Sequence, residues 1–347
     1  MIWRRYIGAA LVVAFSWLMV VPSASAGEPL RGMVSRISAA KTYTAAWVSV
    51  RRADEYWRGI GYGLVDEARI AGINLANIRL ASGLDRTDEQ IFHLDEMSTL
   101  KPNIVFLSPT SYEGLDKAVK RLNATGSKVI IVGAPIRRGD VKVGVLQDQE
   151  KIGVRLAQYV CASDPKAEVA TIPGPAGIGW SKQRFDAFRS ELTNACPQAR
   201  LYGNLYRLDV SVPHGQVQAA DVLIKYPQAN FIYAAAGLLA DGAANVRARM
   251  HHPALIVTAG LTRSGTANLD AGQIAMVVSE PAVLIGRLAV QYAIRVIENK
   301  SLPGTVSAPY PYPTLFAPNV SLTRDLLGEY DVESYDLAPA AWTLNAG

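Results

Sequence analysis

The stretch Ala45-Ala-Trp-Val-Ser-Val-Arg-Arg-Ala-Asp-Glu-Tyr-Trp57 joins a buried strand to an amphipathic helix and decides the fold. Its first six residues are mostly apolar, which predicts a strand. The helix that follows places apolar or small residues at Ile60, Leu64 and Ala68, the spacing of a stripe packed against a sheet. Ligands bind in the crevice between strand ends and the following helices of an open α/β sheet. The stretch therefore predicts an α/β fold with a ligand site at this junction.

A carboxylate and two aromatic rings stand together at the junction, as Asp54, Tyr56 and Trp57. Aromatic faces attract cations, so this cluster suits a cation or a strongly polarised small molecule. The same residues also fit a structural role, with Asp54 near the N-cap of the helix and both rings in the core. Both interpretations stay open at the level of the sequence.

The first 26 residues have the pattern of a secretory signal peptide. Arg4 and Arg5 give a positive start, residues 7–21 are almost wholly apolar, and Ala24-Ser-Ala26 supplies a cleavage site. Because an apolar run of 15 residues is short for a membrane-spanning helix, we expect a periplasmic protein without stable membrane insertion. An uncleaved anchor is the alternative. Cleavage would lower the formal charge from +5 to +3, a modest and dispersed excess that argues against nucleic-acid binding.

The only cysteines are Cys161 and Cys196, both in the part that we expect to be exported. An even pair in an oxidising compartment is a disulfide candidate. Each follows a predicted helix, and the strand at 168–172 lies between those helices, so both helices should end on the same side of a sheet. We predict a disulfide, with two inert buried thiols as the alternative. The four histidines have no spacing that pairs them with the cysteines, so no metal or cofactor is expected.

Strands and helices alternate over nearly the whole chain. Apolar, β-branched runs predict strands at 104–108, 129–132, 141–145, 168–172, 231–235, 255–259 and 274–278. Fully apolar strands separated by helices indicate parallel sheets flanked by helices on both faces. The chain is longer than one hydrophobic core usually accommodates, so we predict two lobes with a ligand cleft between them. We expect residues 45–146 and about 281–312 in the N-terminal lobe, and residues 147–280 and about 313–340 in the C-terminal lobe.

Several segments resemble the type I periplasmic solute-binding proteins, the ribose- and galactose-binding group. The segments that carry the resemblance are Ser127–Gly133, Val143–Val145 with Asp148, Pro173–Pro175, Ser181-Lys182 with Arg184 and Phe188, and Ser279–Pro281 before Gly286. The resemblance covers about residues 45–322. It implies two hinged lobes that close over a small solute. The sequence has no Gly-x-Ser-x-Gly elbow, no Gly-x-x-x-x-Gly-Lys-Ser/Thr and no His-Glu-x-x-His, so we do not expect an enzyme.

Within that group the chain is similar to the periplasmic partners of trimethylamine N-oxide-sensing histidine kinases. Asp54-Glu-Tyr-Trp57 with Tyr62-Gly63 looks like their Asp-x-Tyr-Trp segment and the Tyr-Gly that follows it. The resemblance implies recognition of trimethylamine N-oxide or a related small polar solute and presentation of the bound state to a membrane sensor kinase. The alternative is the substrate-binding component of an ABC importer for a sugar or another small solute, with the permease as partner.

The ligand is expected to contact both lobes. From the first lobe the predicted contacts are Asp54, Tyr56 and Trp57. From the second lobe and the crossings they are Gln147, Asp148, Trp180, Lys182, Asp241 and Glu280. Helix capping is the alternative for Asp148 and Asp241, and an exposed position in a first helical turn is the alternative for Lys182. For Trp180 the alternative is a surface position in its loop, and for Glu280 it is an ion pair at the hinge.

The chain also departs from the N-oxide sensors in its aromatic residues. Those proteins carry an aromatic residue after the Val143–Val145 crossing and another near the strand at 255–259, where this chain has none. We therefore expect two walls of an aromatic cage to be missing and the ligand to be larger or richer in hydroxyl groups.

Overall fold

The computed structural model describes residues 29–344, apart from 31, 51–53, 85, 176–178 and 204–209. The predicted signal peptide, residues 1–26, lies outside the described residues. Within them the chain folds into two lobes, each built on a six-stranded sheet. No helix of the described part is long and apolar enough to cross a bilayer.

The strands and helices alternate as the sequence predicts. The strands are β1 (Pro29–Leu30), β2 (Val34–Ser35), β3 (Tyr43–Val50), β4 (Ile73–Ala81), β5 (Ile104–Leu107), β6 (Lys128–Gly133), β7 (Val143–Gln147), β8 (Glu168–Ile172), β9 (Arg200–Tyr202), β10 (Phe231–Ala234), β11 (Leu255–Ala259), β12 (Ile274–Val278), β13 (Thr314–Ala317) and β14 (Ser321–Leu322). The helices are α1 (Glu55–Ala71), α2 (Thr87–Leu100), α3 (Asp116–Ala124), α4 (Gln149–Ser163), α5 (Gly179–Ala195), α6 (Val212–Lys225), α7 (Gly237–Met250), α8 (Arg263–Asp270), α9 (Ala282–Ile297), α10 (Arg324–Leu327) and α11 (Val332–Tyr335).

The sheet of the first lobe is wholly parallel, in the order β13-β7-β6-β5-β3-β4. Side chains of β3 alternate between its two faces, as the period of a strand requires. Ala45 and Trp47 pack into the core that includes α1 and α9, whereas Ala46 and Val48 pack into the core that includes α2 and α3. Because both faces of β3 are covered, most of its side chains are apolar, which makes the strand recognisable from the sequence.

The sheet of the second lobe has the order β14-β12-β11-β10-β8-β9. Its pairs are parallel except β12 with β14, which run antiparallel. Strands and flanking helices share one continuous hydrophobic core, in which Phe188 and Tyr233 lie at its centre with ring centroids 4.4 Å apart. Each lobe therefore has its own core, which permits the two to move as separate bodies.

Three chain crossings join the lobes, between β7 and α4, between β12 and α9, and between β13 and β14. The third crossing lies after Ala317, not at about residue 313 as the sequence predicted. The correction has a simple cause: residues 314–317 pair in parallel with β7, so that Thr314 lies opposite Gly144. The flanking residues Pro313 and Pro318 bound this strand and leave the ladder itself intact.

Cys161 and Cys196 form the predicted disulfide, with their Cα atoms 5.8 Å apart. The bond ties the end of α4 to the residue after α5. These two helices are in close contact, because a Cβ at Gly153 of α4 would lie 2.2 Å from the carbonyl oxygen of Arg184 in α5. The disulfide therefore links the same two helices of the second lobe that pack closely against each other.

Candidate functional site

A cleft lies between the carboxyl ends of the two parallel sheets. It encloses about 1000 Å³, counting the part that is open to solvent. The first lobe lines it with residues 54–57, 84, 109–112 and 133–135, and the second lobe with residues 149, 179–180, 210, 236–238, 260–262 and 280. Both lobes therefore reach a molecule held there, at the place where open α/β sheets bind ligands.

Asp54, Tyr56 and Trp57 line the first-lobe wall of this cleft. The Asp54 carboxylate also caps α1, since its Oδ1 accepts a hydrogen bond of 3.1 Å from the backbone N–H of Trp57. The Tyr56 and Trp57 rings meet edge to face, with centroids 5.1 Å apart. Asp54 can therefore cap α1 and also line the cleft, because the helix begins at the cleft surface.

The Tyr56 hydroxyl is fixed and neutral. It donates a hydrogen bond of 3.0 Å to the carbonyl oxygen of Gly133. Burial, followed by the nearby charge of Glu280, raises the pKa of Tyr56 above its ordinary value. Because the phenol keeps its proton, Tyr56 presents an uncharged ring to the cleft.

Tyr112 also lines the cleft, and the sequence analysis did not identify it. Its loop follows β5 and is held by Gln90 of α2, whose Oε1 accepts 2.8 Å from the Thr110 N–H and whose Nε2 donates 2.9 Å to the Ser108 carbonyl. Its position in the sequence could have identified it, because Tyr112 follows the carboxyl end of a buried strand, as Tyr56 does.

The second-lobe wall combines one large ring with a smooth apolar surface. Trp180 and Glu280, two of the residues predicted to contact the ligand, both line the cleft. The same wall contains small or aliphatic residues such as Ala236, Leu238 and Leu261, together with the polar Gln149 and Thr262. Such a surface accommodates methyl groups better than it satisfies many hydroxyl groups.

Three further predicted contacts do not belong to the described lining of the cleft, although one of them, Gln147, makes a side-chain hydrogen bond with Tyr56 of the cleft wall. Gln147 is buried in the first crossing, where its Oε1 lies 3.4 Å from the Asn319 Nδ2 of the third crossing. Asp148 caps α4, accepting 2.9 Å from the backbone N–H of Lys151. Lys182 is largely exposed and pairs with Asp186 one turn along α5. Burial of Gln147, helix capping by Asp148 and solvation of Lys182 account for these positions.

Asp241 is a buried anchor behind the cleft surface. Its carboxylate accepts hydrogen bonds of 2.6 Å from the hydroxyls of Thr262 and Ser264 and one of 3.1 Å from Asn268 Nδ2. Thr262 lines the cleft, but Asp241 does not. The structure therefore places Asp241 as the support of a cleft loop instead of as a contact.

Contacts between the lobes hold them close together. Glu55 of the first lobe lies 3.5 Å from the Nε of Arg263 in the second. The segment 338–342 bridges the same gap: Arg58 donates to the carbonyl oxygens of Pro339 and Trp342, and Arg263 donates to that of Ala338. At the hinge, Asn319 Nδ2 donates 2.9 Å to the Ser279 carbonyl. These contacts join the two lobes at several points around the crossings and the start of α1.

Comparison with known proteins agrees with this geometry. Residues 45–301 match the model of the periplasmic binding protein domain. A solved sugar ABC transport system substrate-binding protein from Bordetella parapertussis is 30% identical, with a TM-score of 0.86, over 91% of this chain and 99% of that one.

Two further relatives place the chain more broadly. The periplasmic protein TorT of Escherichia coli K12 is 26% identical over 258 residues, 74% of this chain and 73% of TorT. A carbohydrate transporter solute-binding protein from Agrobacterium radiobacter, solved with D-arabinose, shares the fold at 18% identity and a TM-score of 0.73, over 83% of this chain and 96% of that one. The two solved relatives are substrate- or solute-binding proteins of transport systems, a role that is not enzymatic. The chain belongs to the periplasmic binding protein family, with the two-lobed type I fold.

Proposed function

We propose that this protein is a periplasmic receptor for trimethylamine N-oxide or a related small polar solute, and that it presents the bound state to a membrane sensor kinase. The observation that carries the proposal is the cluster of Asp54, Tyr56 and Trp57 at the cleft, opposite Trp180. The similarity to TorT supports it. Export through the N-terminal segment of residues 1–26 is part of the same proposal.

The cleft chemistry suits a methylated, strongly dipolar molecule. The rings of Tyr56, Trp57, Tyr112 and Trp180 line it from both lobes, and ring faces attract a methylated nitrogen that carries positive charge. Two positions that are aromatic in the N-oxide sensors carry apolar or polar residues in this chain. Tyr112 and Trp180 provide aromatic rings at other positions of the cleft. The aliphatic residues of the second-lobe wall fit methyl groups.

A ligand oxygen needs a hydrogen-bond donor. The Oε1 of Gln149 accepts from the Nε of Arg184 at 3.0 Å, which directs the Gln149 amide nitrogen the other way. Because Gln149 lines the cleft, that nitrogen is our candidate donor to the oxygen of an N-oxide.

Binding becomes a signal if it favours lobe closure. A ligand shifts the balance of open and closed forms only by its different affinity for the two. A solute that touches Trp57 and Trp180 meets that condition, since only closure brings both rings to it. The kinase would then recognise surfaces of the two lobes in their closed arrangement.

The second candidate function is the substrate-binding component of an ABC importer. The specific observation in its favour is the 30% identity to the Bordetella parapertussis protein over 91% of the chain. Asp54, Glu55 and Glu280 line the cleft and can accept hydrogen bonds from sugar hydroxyls.

A thermal-shift screen of methylamines, N-oxides, sulfoxides and sugars separates the two candidates. A specific ligand raises the melting temperature by mass action. We expect trimethylamine N-oxide or a close relative to give the largest rise, and the liganded protein to retain a kinase periplasmic domain in a pull-down. A rise with sugars alone would instead support the importer function.

A further inference from the structure

Arg184 is a fully buried charge directly behind the second-lobe wall. It lies in α5 and is 1% exposed. A guanidinium removed from water is destabilising unless its donors are satisfied by well-placed acceptors. Its surroundings therefore indicate what holds it in place.

Every described acceptor of Arg184 belongs to a segment that forms the second-lobe wall. The Nε donates 3.0 Å to Gln149 Oε1, immediately after the first crossing. The Nη1 donates 2.5 Å to the carbonyl oxygen of Ala235, at the end of β10. The Nη2 donates to Glu280 in the second crossing. One side chain thus connects two of the three crossings with the wall between them.

Arg184 also supports the aromatic ring of that wall. Its guanidinium carbon lies 5.0 Å from the centroid of the Trp180 ring. Trp180 and Glu280 line the cleft, whereas Arg184 is not among the described lining residues. The charge therefore lies behind the two groups that face a ligand, where it can orient both of them.

We propose that Arg184 is a positioning residue: it fixes Trp180 and Glu280 relative to the crossings and so prepares the second-lobe half of the binding site before a ligand arrives. Its effect on ligand affinity rests on the proposed function. Its effect on the position of Trp180 does not, because that effect exists in the unliganded protein.

The test is ¹⁹F NMR of the full chain labelled with 5-fluorotryptophan, without ligand. The Trp180 resonance is assigned from its loss in Trp180→Phe. We expect it to move in Arg184→Lys, which cannot reproduce the forked hydrogen bonds, and in Glu280→Gln, which removes the charged acceptor. The other tryptophan resonances should keep their positions. Arg189→Lys is the matched control, on the same helix but 59% exposed, and should leave all resonances unmoved.

A role limited to core stability would lower the melting temperature and leave Trp180 in place. A Trp180 resonance at its wild-type position in both folded variants, Arg184→Lys and Glu280→Gln, overturns the proposal. A shift in either variant supports it. Both substitutions conserve side-chain size, so at least one folded protein is expected for the measurement.

A second arm measures calorimetric affinity with trimethylamine N-oxide as the probe. We expect Arg184→Lys to weaken binding about tenfold and Arg189→Lys to bind as the wild type does. If the wild type does not bind this probe, the result counts against the proposed function. The NMR experiment then tests the positioning role of Arg184 by itself. Wild-type affinity in Arg184→Lys, with Trp180 also unmoved, would overturn the positioning role.

Discussion

The two walls of the cleft are built in different ways. The first lobe presents Asp54, Tyr56 and Trp57 from one short segment at the start of α1. The second lobe presents Trp180 and Thr262, which depend on the buried groups Arg184 and Asp241 behind them. Sequence proximity therefore identifies the contacts at the start of α1, whereas Trp180 and Thr262 depend on side chains outside the described cleft lining.

The lobes also differ in what secures them. The second lobe has the Cys161–Cys196 disulfide beside its closest helix pair. The first lobe contains no cysteine and relies on helix packing, in which a Cβ at Gly63 of α1 would lie 2.1 Å from the Val283 carbonyl oxygen of α9. The following predictions test both contrasts, in order of decreasing expected effect.

Removal of the disulfide should give the largest loss of stability. A closed loop of 35 residues implies roughly 4 kcal/mol from restricted chain entropy. We expect Cys161→Ser with Cys196→Ser to lower the free energy of unfolding by about this amount in urea denaturation. Treatment of the wild type with reductant should reproduce the effect. Equal stability of the oxidised and double-serine proteins would contradict it.

Asp241→Ala should be the next most damaging change. It leaves the donors of Thr262, Ser264 and Asn268 without their shared carboxylate, at about 3 kcal/mol. Asp270→Ala, at an exposed end of α8, is the control and should change little. A stable Asp241→Ala protein that loses only ligand affinity would restore the original prediction of a direct contact.

Asp54→Ala and Asp148→Ala form a matched pair, since each aspartate caps a helix. Both should lose about 1 kcal/mol of stability, the usual effect of an N-cap. Only Asp54 lines the cleft, so only Asp54→Ala should also weaken ligand binding in calorimetry. Equal ligand affinities of the two variants would contradict the prediction that only Asp54 contributes to binding.

Alkaline pH should act through Tyr310 in the first lobe. Burial is the main cause that raises the pKa of Tyr310 from 10.0 to about 12. A folded-state pKa above the unfolded value stabilises the protein below pH 10, and this stabilisation is lost as the pH rises towards 12. Tyr310→Phe should therefore show a shallower fall in unfolding free energy over that window. An unchanged pH profile would exclude this group as the cause.

Lys182→Ala should have the smallest effect. Lys182 is 69% exposed and pairs with Asp186 along one helix. Exposed pairs of this type contribute at most about 0.5 kcal/mol. Stability by urea denaturation and affinity by calorimetry should both stay near wild type. A large loss of affinity would mean that Lys182 reaches the ligand after all.

Local pattern predicted most of the fold. Ile60, Leu64 and Ala68 are buried as their spacing indicated, and the disulfide formed where two helices end together. Strand β4 was missed because it is an edge strand whose side chains are mostly half-buried, so it lacks a continuous apolar run. Strand β13 was hidden between prolines, and only its pairing with β7 assigns it to the first lobe.

The sequence predicted the candidate site less completely than it predicted the fold. Asp54, Asp148 and Asp241 are the same residue type near helix starts, yet only Asp54 lines the cleft. Their different environments follow from tertiary packing, which local spacing does not encode. Tyr112 was overlooked because no motif surrounds it, although it follows β5 as Tyr56 follows β3.

The central claim is that one small solute touches both lobes at once. Calorimetry with the best ligand from the thermal-shift screen tests this in Trp57→Ala and Trp180→Ala, with Phe92→Ala as the control, because Phe92 is 67% exposed and does not belong to the described cleft lining. We predict binding about tenfold weaker in each of the first two variants and unchanged in the third. Wild-type affinity after loss of either cleft ring would contradict binding between the lobes.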